Sequence, residues 1–263
     1  MLLENKIAVI YGAGGAIGGA VARAFAQEGA RVFLTGRNLS KVDAVTKAIL
    51  AAGGKAESAQ VDALDEQAVD RHLQSVIDQG GRVHISFNAI GIPQQGIQGI
   101  PLTELSVENF MLPITSYTRA HYLTARAALR RMIAHGSGVI LMHTPEPGRL
   151  GAPLLGGMGP AWAAIEGLAR DLSSEYATHG IRVLCIRSTG IPETATIDVV
   201  YGLHAKALGV TPKQFESMLN GMSHTRRHST LAELTDAAVF LASDMSRGMT
   251  GTFTNLTGGR IVE

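Results

Sequence analysis

The chain has 263 residues, 46% of them hydrophobic, and a formal net charge of +1; it can bury one substantial core and fits a single α/β domain over residues 1–263 better than two small ones. Near-neutral charge, no basic run and 5% aromatic residues leave no electrostatic footprint for nucleic acid or anionic lipid. No leader pattern precedes the first strand, no apolar stretch can span a bilayer, and the lone Cys185 can form no intramolecular disulfide, so a cytoplasmic protein with a buried thiol is expected.

Short apolar runs rich in Val and Ile alternate with helix-length segments. "KIAVIYG" opens as a strand before a helical pattern over 20–28; "RVFLTG" precedes a helix over 41–52, and "KAESAQVD" one over 66–79. "VHISFNAIG" leads to a long helix over 107–134 and "GVILMH" to one over 160–178, while "IRVLCIR" and "TFTNLTG" complete about seven strands. Such alternation implies βαβ units, hence a doubly wound parallel sheet of the Rossmann type with helices on both faces. Residues 192–230 break the rhythm, being far longer than an ordinary connection. Loops at the carboxyl ends of such strands build the ligand crevice, so this insert reads either as a substrate lid or as a surface excursion or oligomer contact.

Two strand ends carry chemistry. After the first comes "YGAGGAIGGA", with Gly12, Gly14, Gly15, Gly18 and Gly19 where the strand turns into a helix. Glycine there permits a tight turn and lets the backbone approach a pyrophosphate at the positive end of the helix. After the second strand come Gly36 and Arg37, where an acidic residue would bind an adenosine ribose. A guanidinium clamps a phosphate with two parallel hydrogen bonds, so NADP(H) is expected in preference to NAD(H), the alternative being a solvated surface arginine.

With "QVDALDE", "FNAIG", "HGIRVLCIRSTGIPET" and "FLASDMSRGMTGTFTNLTGG", these motifs resemble the short-chain dehydrogenase/reductase family from end to end. Its TGxxxGxG motif matches Gly12 and Gly18, with Tyr11 in the threonine position and Ala16 for the middle glycine. The resemblance implies cofactor contacts by Gly14 and Ile17, an Asp62 that meets the adenine amino group with Ala63 beside it, and Asn88 and Ala89 in place of the family's paired asparagines. Ser188 and Thr189 replace its Pro-Gly. A small-molecule substrate and a homotetramer or homodimer are also implied, the latter through the fourth and fifth helices, where Ala161, Ala163, Ala164, Ile165 and Leu168 offer small or apolar surface.

The resemblance further places a catalytic Asn, Ser, Tyr and Lys. Anchored on Gly148, the serine position falls on Pro145, the tyrosine position on Met158 and the lysine position on Trp162, and the fourth helix puts Tyr117 at the asparagine. Pro145, Met158 and Trp162 exchange no proton with a carbonyl. Trp162 either fills the space at the nicotinamide ribose, so that this end binds differently or not at all, or stacks on an aromatic ligand.

Substitute groups are available. Tyr117 and His121 share a helix face, and Thr144 can hold an oxygen, while strand alternation turns His143 the other way. Glu146, between Pro145 and Pro147, reads as a solvated loop carboxylate. His224 and His228 have the spacing of a metal pair on a helix, but Arg226 and Arg227 lie between them without a third ligand, so no metal is expected. The leading reading is an NADP(H)-dependent oxidoreductase acting on a carbonyl or hydroxyl substrate by a non-standard proton relay. A non-redox isomerase, cyclase or dehydratase, and a catalytically silent binding or partner subunit, stand as alternatives.

Overall fold

Seven strands, β1 (Ile7–Tyr11), β2 (Arg31–Gly36), β3 (Lys55–Gln60), β4 (Ile85–Asn88), β5 (Gly138–Pro145), β6 (Ile181–Ser188) and β7 (Phe253–Leu256), form one sheet in the order β3-β2-β1-β4-β5-β6-β7. Every pairing is parallel in this computed structural model, which describes residues 1–262. The order reverses between β1 and β4, the switch point at which a doubly wound sheet opens its ligand crevice.

The helices are α1 (Ala16–Gln27), α2 (Leu39–Ala51), α3 (Glu66–Gly80), α4 (Val107–Met132), α5 (Met158–Tyr176), α6 (Ala195–Leu208), α7 (Pro212–Met222) and α8 (Leu231–Ala242). Both sheet faces are covered, so β1 is buried throughout and reads as an unbroken apolar run. Ile7, Val9 and Tyr11 join one core with Ala128 of α4 and Ile165 of α5; Ala8 and Ile10 join the other with Phe25 of α1 and Leu234 of α8.

The first helix starts four residues before the apolar pattern suggests, at Ala16 rather than residue 20. Gly18 and Gly19 are helical. A Cβ on Gly18 would lie 2.5 Å from the Gly12 carbonyl oxygen, so this glycine serves the close approach of helix to turn and not the turn itself.

The 192–230 insert folds into α6 and α7, which pack around Tyr201, Ala205 and Phe215. The "TPKQ" sequence sets the start of α7: Thr211 and Gln214 form a reciprocal capping box and Pro212 occupies the first turn. Among the described residues, no helix is long and apolar enough to cross a membrane.

Candidate functional site

A cavity of about 1180 Å3 opens at the carboxyl ends of the strands. The turns after β1, β4, β5 and β6 build one side, and Ile197, Val200 and Tyr201 of α6 with Met218 and Met222 of α7 build the other. The insert docks tightly: a Cβ on Gly190, just past β6, would lie 3.1 Å from the Tyr201 hydroxyl.

In the nucleotide half, Gly12, Gly14 and Ile17 line the cavity with Arg37, Asp62, Ala63, Asn88 and Ala89. Gly18 does not, since it packs behind Gly12. Gly12 has φ of +74°, and a Cβ there would lie 2.5 Å from the Ala89 carbonyl oxygen, so both conformation and space demand glycine. The N-cap of α1, Gly15, supplies no side-chain cap, and the first turn carries no acidic residue. Its amide groups are therefore open to an anion.

Asn88 is fixed by two bonds, its Nδ2 donating to Thr124 Oγ1 at 3.0 Å and its Oδ1 accepting from the Ile90 amide at 3.1 Å. Asp62 Oδ1 accepts from the Leu64 amide at 3.0 Å. Arg37 is exposed at the end of β2 and makes no ion pair among the described residues. Lys41, which the sequence reading passed over, lines the same wall and packs against the glycine turn: a Cβ on Gly14 would lie 2.9 Å from Lys41 Cβ. A second cation four residues beyond Arg37 was the available signal.

At the reaction end, Thr144 is turned away from the cavity, which corrects the expectation that it holds a substrate oxygen. It is fully buried on the α5 side, donating to Glu166 Oε1 at 3.0 Å and lying 3.6 Å from Cys185 Sγ. Burial pushes the Cys185 thiol up to about 12, so it is inert. Strand alternation instead brings His143 to the cavity wall. Its Nε2 lies 2.9 Å from Ser188 Oγ; because that hydroxyl donates to the Thr189 carbonyl at 2.8 Å, the imidazole is the donor.

Tyr117 and His121 both line the cavity. Burial raises the Tyr117 phenol to about 12, with the Ile92 backbone and the Gln94 side chain beside it offsetting this only in part. It is therefore a poor acid at neutral pH. His121 Nδ1 donates to the Tyr117 carbonyl at 2.9 Å, which leaves Nε2 as an acceptor, buried and without a hydrogen-bond partner among the described residues. Burial holds both His121 and His143 neutral, down to about 4, and His121 lowers His143 further.

Of the positions assigned by resemblance, Pro145 and Trp162 reach the wall while Met158 is fully buried and does not. Trp162 also packs on the loop before it: a Cβ on Gly148 would lie 3.0 Å from Trp162 Cβ.

Glu146 is not solvated, a second correction. Only 6% exposed, it pairs through Oε1 with Arg260 Nη1 at 3.1 Å, and burial raises its carboxyl to about 7 against the lowering effect of Arg260. No local pattern connects two residues so distant in sequence. His224 and His228 share no helix, His224 being exposed while His228 is buried with Nε2 2.8 Å from the Tyr201 hydroxyl.

The sequence profile of a family described as Enoyl-(Acyl carrier protein) reductase matches residues 12–260. An uncharacterized oxidoreductase of Bacillus subtilis is 34% identical over 257 residues, which cover 98% of this chain and 91% of the relative. Among solved structures, an NAD+-bound xylitol dehydrogenase is similar with TM-score 0.90 and 26% identity, covering 98% of each chain. A gluconate 5-dehydrogenase from Burkholderia cenocepacia, in complex with NADP and tartrate, shares the fold with TM-score 0.85 and 24% identity over 98% of this chain and 96% of its own. Parallel sheet, glycine turn and end-to-end match converge on one assignment: the chain belongs to the short-chain dehydrogenase/reductase family.

Proposed function

We propose that the chain is an NADP(H)-binding oxidoreductase acting on an apolar carbonyl or hydroxyl compound through a proton relay other than the family's Ser-Tyr-Lys. The observation that carries the cofactor choice is the pair of cations Arg37, just after β2, and Lys41, in the first turn of α2, which line the cavity and make no ion pair among the described residues. Two unspent cations beside a glycine turn suit a ribose phosphate, whereas a carboxylate would suit a free ribose. Similar structures hold either dinucleotide, so these residues, and not the fold, favour the phosphorylated one.

The cavity fits such a ligand. A Cβ at Gly12 would block the turn, α1 presents uncapped amide groups, and about 1180 Å3 exceeds the ~300–1,000 Å3 of a pocket for one small molecule. When bound, the dinucleotide supplies a hydride to the substrate or takes one from it. Ile197, Val200, Met218 and Met222 from the insert give the wall beyond the nucleotide half a large apolar share, which favours a bulky, poorly hydrated substrate and sheds water from it.

The chain's one tryptophan, Trp162, lines this cavity and reports its filling. NADPH should quench its fluorescence, and Arg37→Ala should weaken NADPH binding ~10–100-fold while changing NADH binding less than about threefold. Equal affinity for NADH and NADPH would remove the phosphate assignment alone. Absence of binding for either, checked by calorimetry, would remove the redox reading and leave a non-redox enzyme or a silent subunit. The buried Met158 and the indole of Trp162 at the wall favour those alternatives. A crystal soaked with NADPH would show whether Trp162 occupies the nicotinamide position.

A further inference from the structure

Glu146 sits between Pro145 and Pro147, so the loop carrying it has two fixed φ angles and little freedom to swing. One oxygen is clamped by Arg260; the other, Oε2, is buried with no hydrogen-bond partner among the described residues. Arg260 is held from behind. Its amide donates to the Thr257 carbonyl at 3.1 Å, and the next residue, Ile261, is tied by its amide to Thr257 Oγ1 at 3.0 Å and by its carbonyl to Asn255 Nδ2 at 2.8 Å. The turn before it, at Gly259, has φ of +81° and meets His224.

Glu146 and Arg260 line the cavity together with Tyr201 of α6 and His228 of the segment that returns from the insert. The titratable groups that act on the carboxyl are Arg260 from the C-terminal turn and Tyr201 from α6, while His143, on the strand that leads into its loop, lines the same cavity. His228 lies behind, bonded to Tyr201 and influenced by Arg260 and by Glu216 of α7. Trp162 and Val200 add apolar wall in the same cavity. A buried carboxyl oxygen without a partner is a costly feature, and it is retained where a ligand completes it.

We propose that the Glu146 carboxyl exchanges the proton with the substrate oxygen in this cavity, with Arg260 as the residue that positions it. This rests on the oxidoreductase reading. In the reducing direction the carbonyl carbon receives a hydride from a reduced nicotinamide dinucleotide and the carbonyl oxygen receives the proton that leaves Glu146. An alcohol and the oxidised dinucleotide result, and Arg260 stabilises the carboxylate until solvent reprotonates it. Burial supplies the acid: the carboxyl lies at about 7, close to neutrality, where proton exchange in both directions is easiest.

The probes are tetralone and decalone with NADPH, followed by absorbance. Glu146→Gln should lower turnover ~100-fold or more while NADPH quenching of Trp162 stays within about twofold of wild type. The wild-type reduction rate should fall as pH rises through about 7. Independently of turnover, the infrared band of a protonated carboxyl should disappear across the same pH range and be missing in Glu146→Gln. Arg260→Met should move that titration upward, because it removes a cation that lowers the carboxyl pKa. Reduction by Glu146→Gln within about threefold of wild type, or a carboxyl that titrates in the ordinary range, overturns the assignment alone. If the wild-type protein never transfers hydride to either ketone, the oxidoreductase reading falls and takes the assignment with it.

Discussion

Gly12 shows how much one residue can decide. Its φ of +74° costs any other residue roughly 1–2 kcal/mol, and a methyl group placed 2.5 Å from the Ala89 carbonyl oxygen adds an overpacking cost of about 1–3 kcal/mol. Gly12→Ala is expected to lower the melting temperature by several degrees, at roughly 2–4 °C per kcal/mol for a chain of this size, and to abolish NADPH quenching of Trp162. Unchanged melting and binding would mean that the turn relaxes freely. The glycine turn and Arg37 were legible in sequence because both belong to short local motifs. The partnership of Glu146 with Arg260 was not, since it exists only once the sheet has brought the end of β5 beside the turn after β7. His143 and Thr144 show the limit of alternation, which says that neighbours face opposite ways without saying which of them faces the cavity.

At the scale of elements, the strand and helix order was readable because both sheet faces are covered, and the resulting apolar runs punctuate the helices clearly. The insert was legible as an excess of length, while its two helices and their place on the cavity depended on contacts with Gly190 and the C-terminal turn. Polar links between elements were hidden altogether. Glu166 of α5 and Arg187 of β6 form a bidentate pair at 2.9 Å for each bond, with Thr144 of β5 donating to the same carboxylate. Both charged side chains are almost fully buried, so Glu166→Ala breaks a buried ion pair and should cost about 3–5 kcal/mol. Thr144→Val removes one bond at a net cost of about 1 kcal/mol. Denaturant titration should reproduce this ranking, and NADPH affinity of the Thr144→Val protein should match wild type because the hydroxyl faces away from the cavity. A loss of turnover in Thr144→Val at full NADPH affinity would return this residue to the reaction centre.

The whole molecule carries an acid sensitivity that follows from its buried and half-buried imidazoles. His72, His84, His121 and His143 are each pushed down to about 4 by burial. Between pH 4 and 6.5 the unfolded chain therefore binds protons that the folded chain refuses, and stability rises with pH across that window. His121, which is 3% exposed, alone supplies on the order of 1–3 kcal/mol, a large share of the ~5–15 kcal/mol that holds a domain together. Glu146 acts in the opposite sense. Its folded carboxyl sits at about 7, above the ordinary 4.5, so between those values the folded chain retains a proton that the unfolded chain has released, and stability falls as pH rises. Burial lowers His204 and His228 as well, so six histidines against this carboxyl give a net rise up to about pH 6.5, then a shallow decline toward 7. Glu146→Gln removes only the second effect, so the variant should match wild type at pH 4 and be more stable at pH 8 by on the order of 1–3 kcal/mol, measured by denaturant titration. Coincident curves at pH 8 would show that burial costs this carboxylate nothing. A gain in stability accompanied by lost turnover would be the pattern of a residue kept ionisable in an apolar wall for its chemistry and against the interest of the fold.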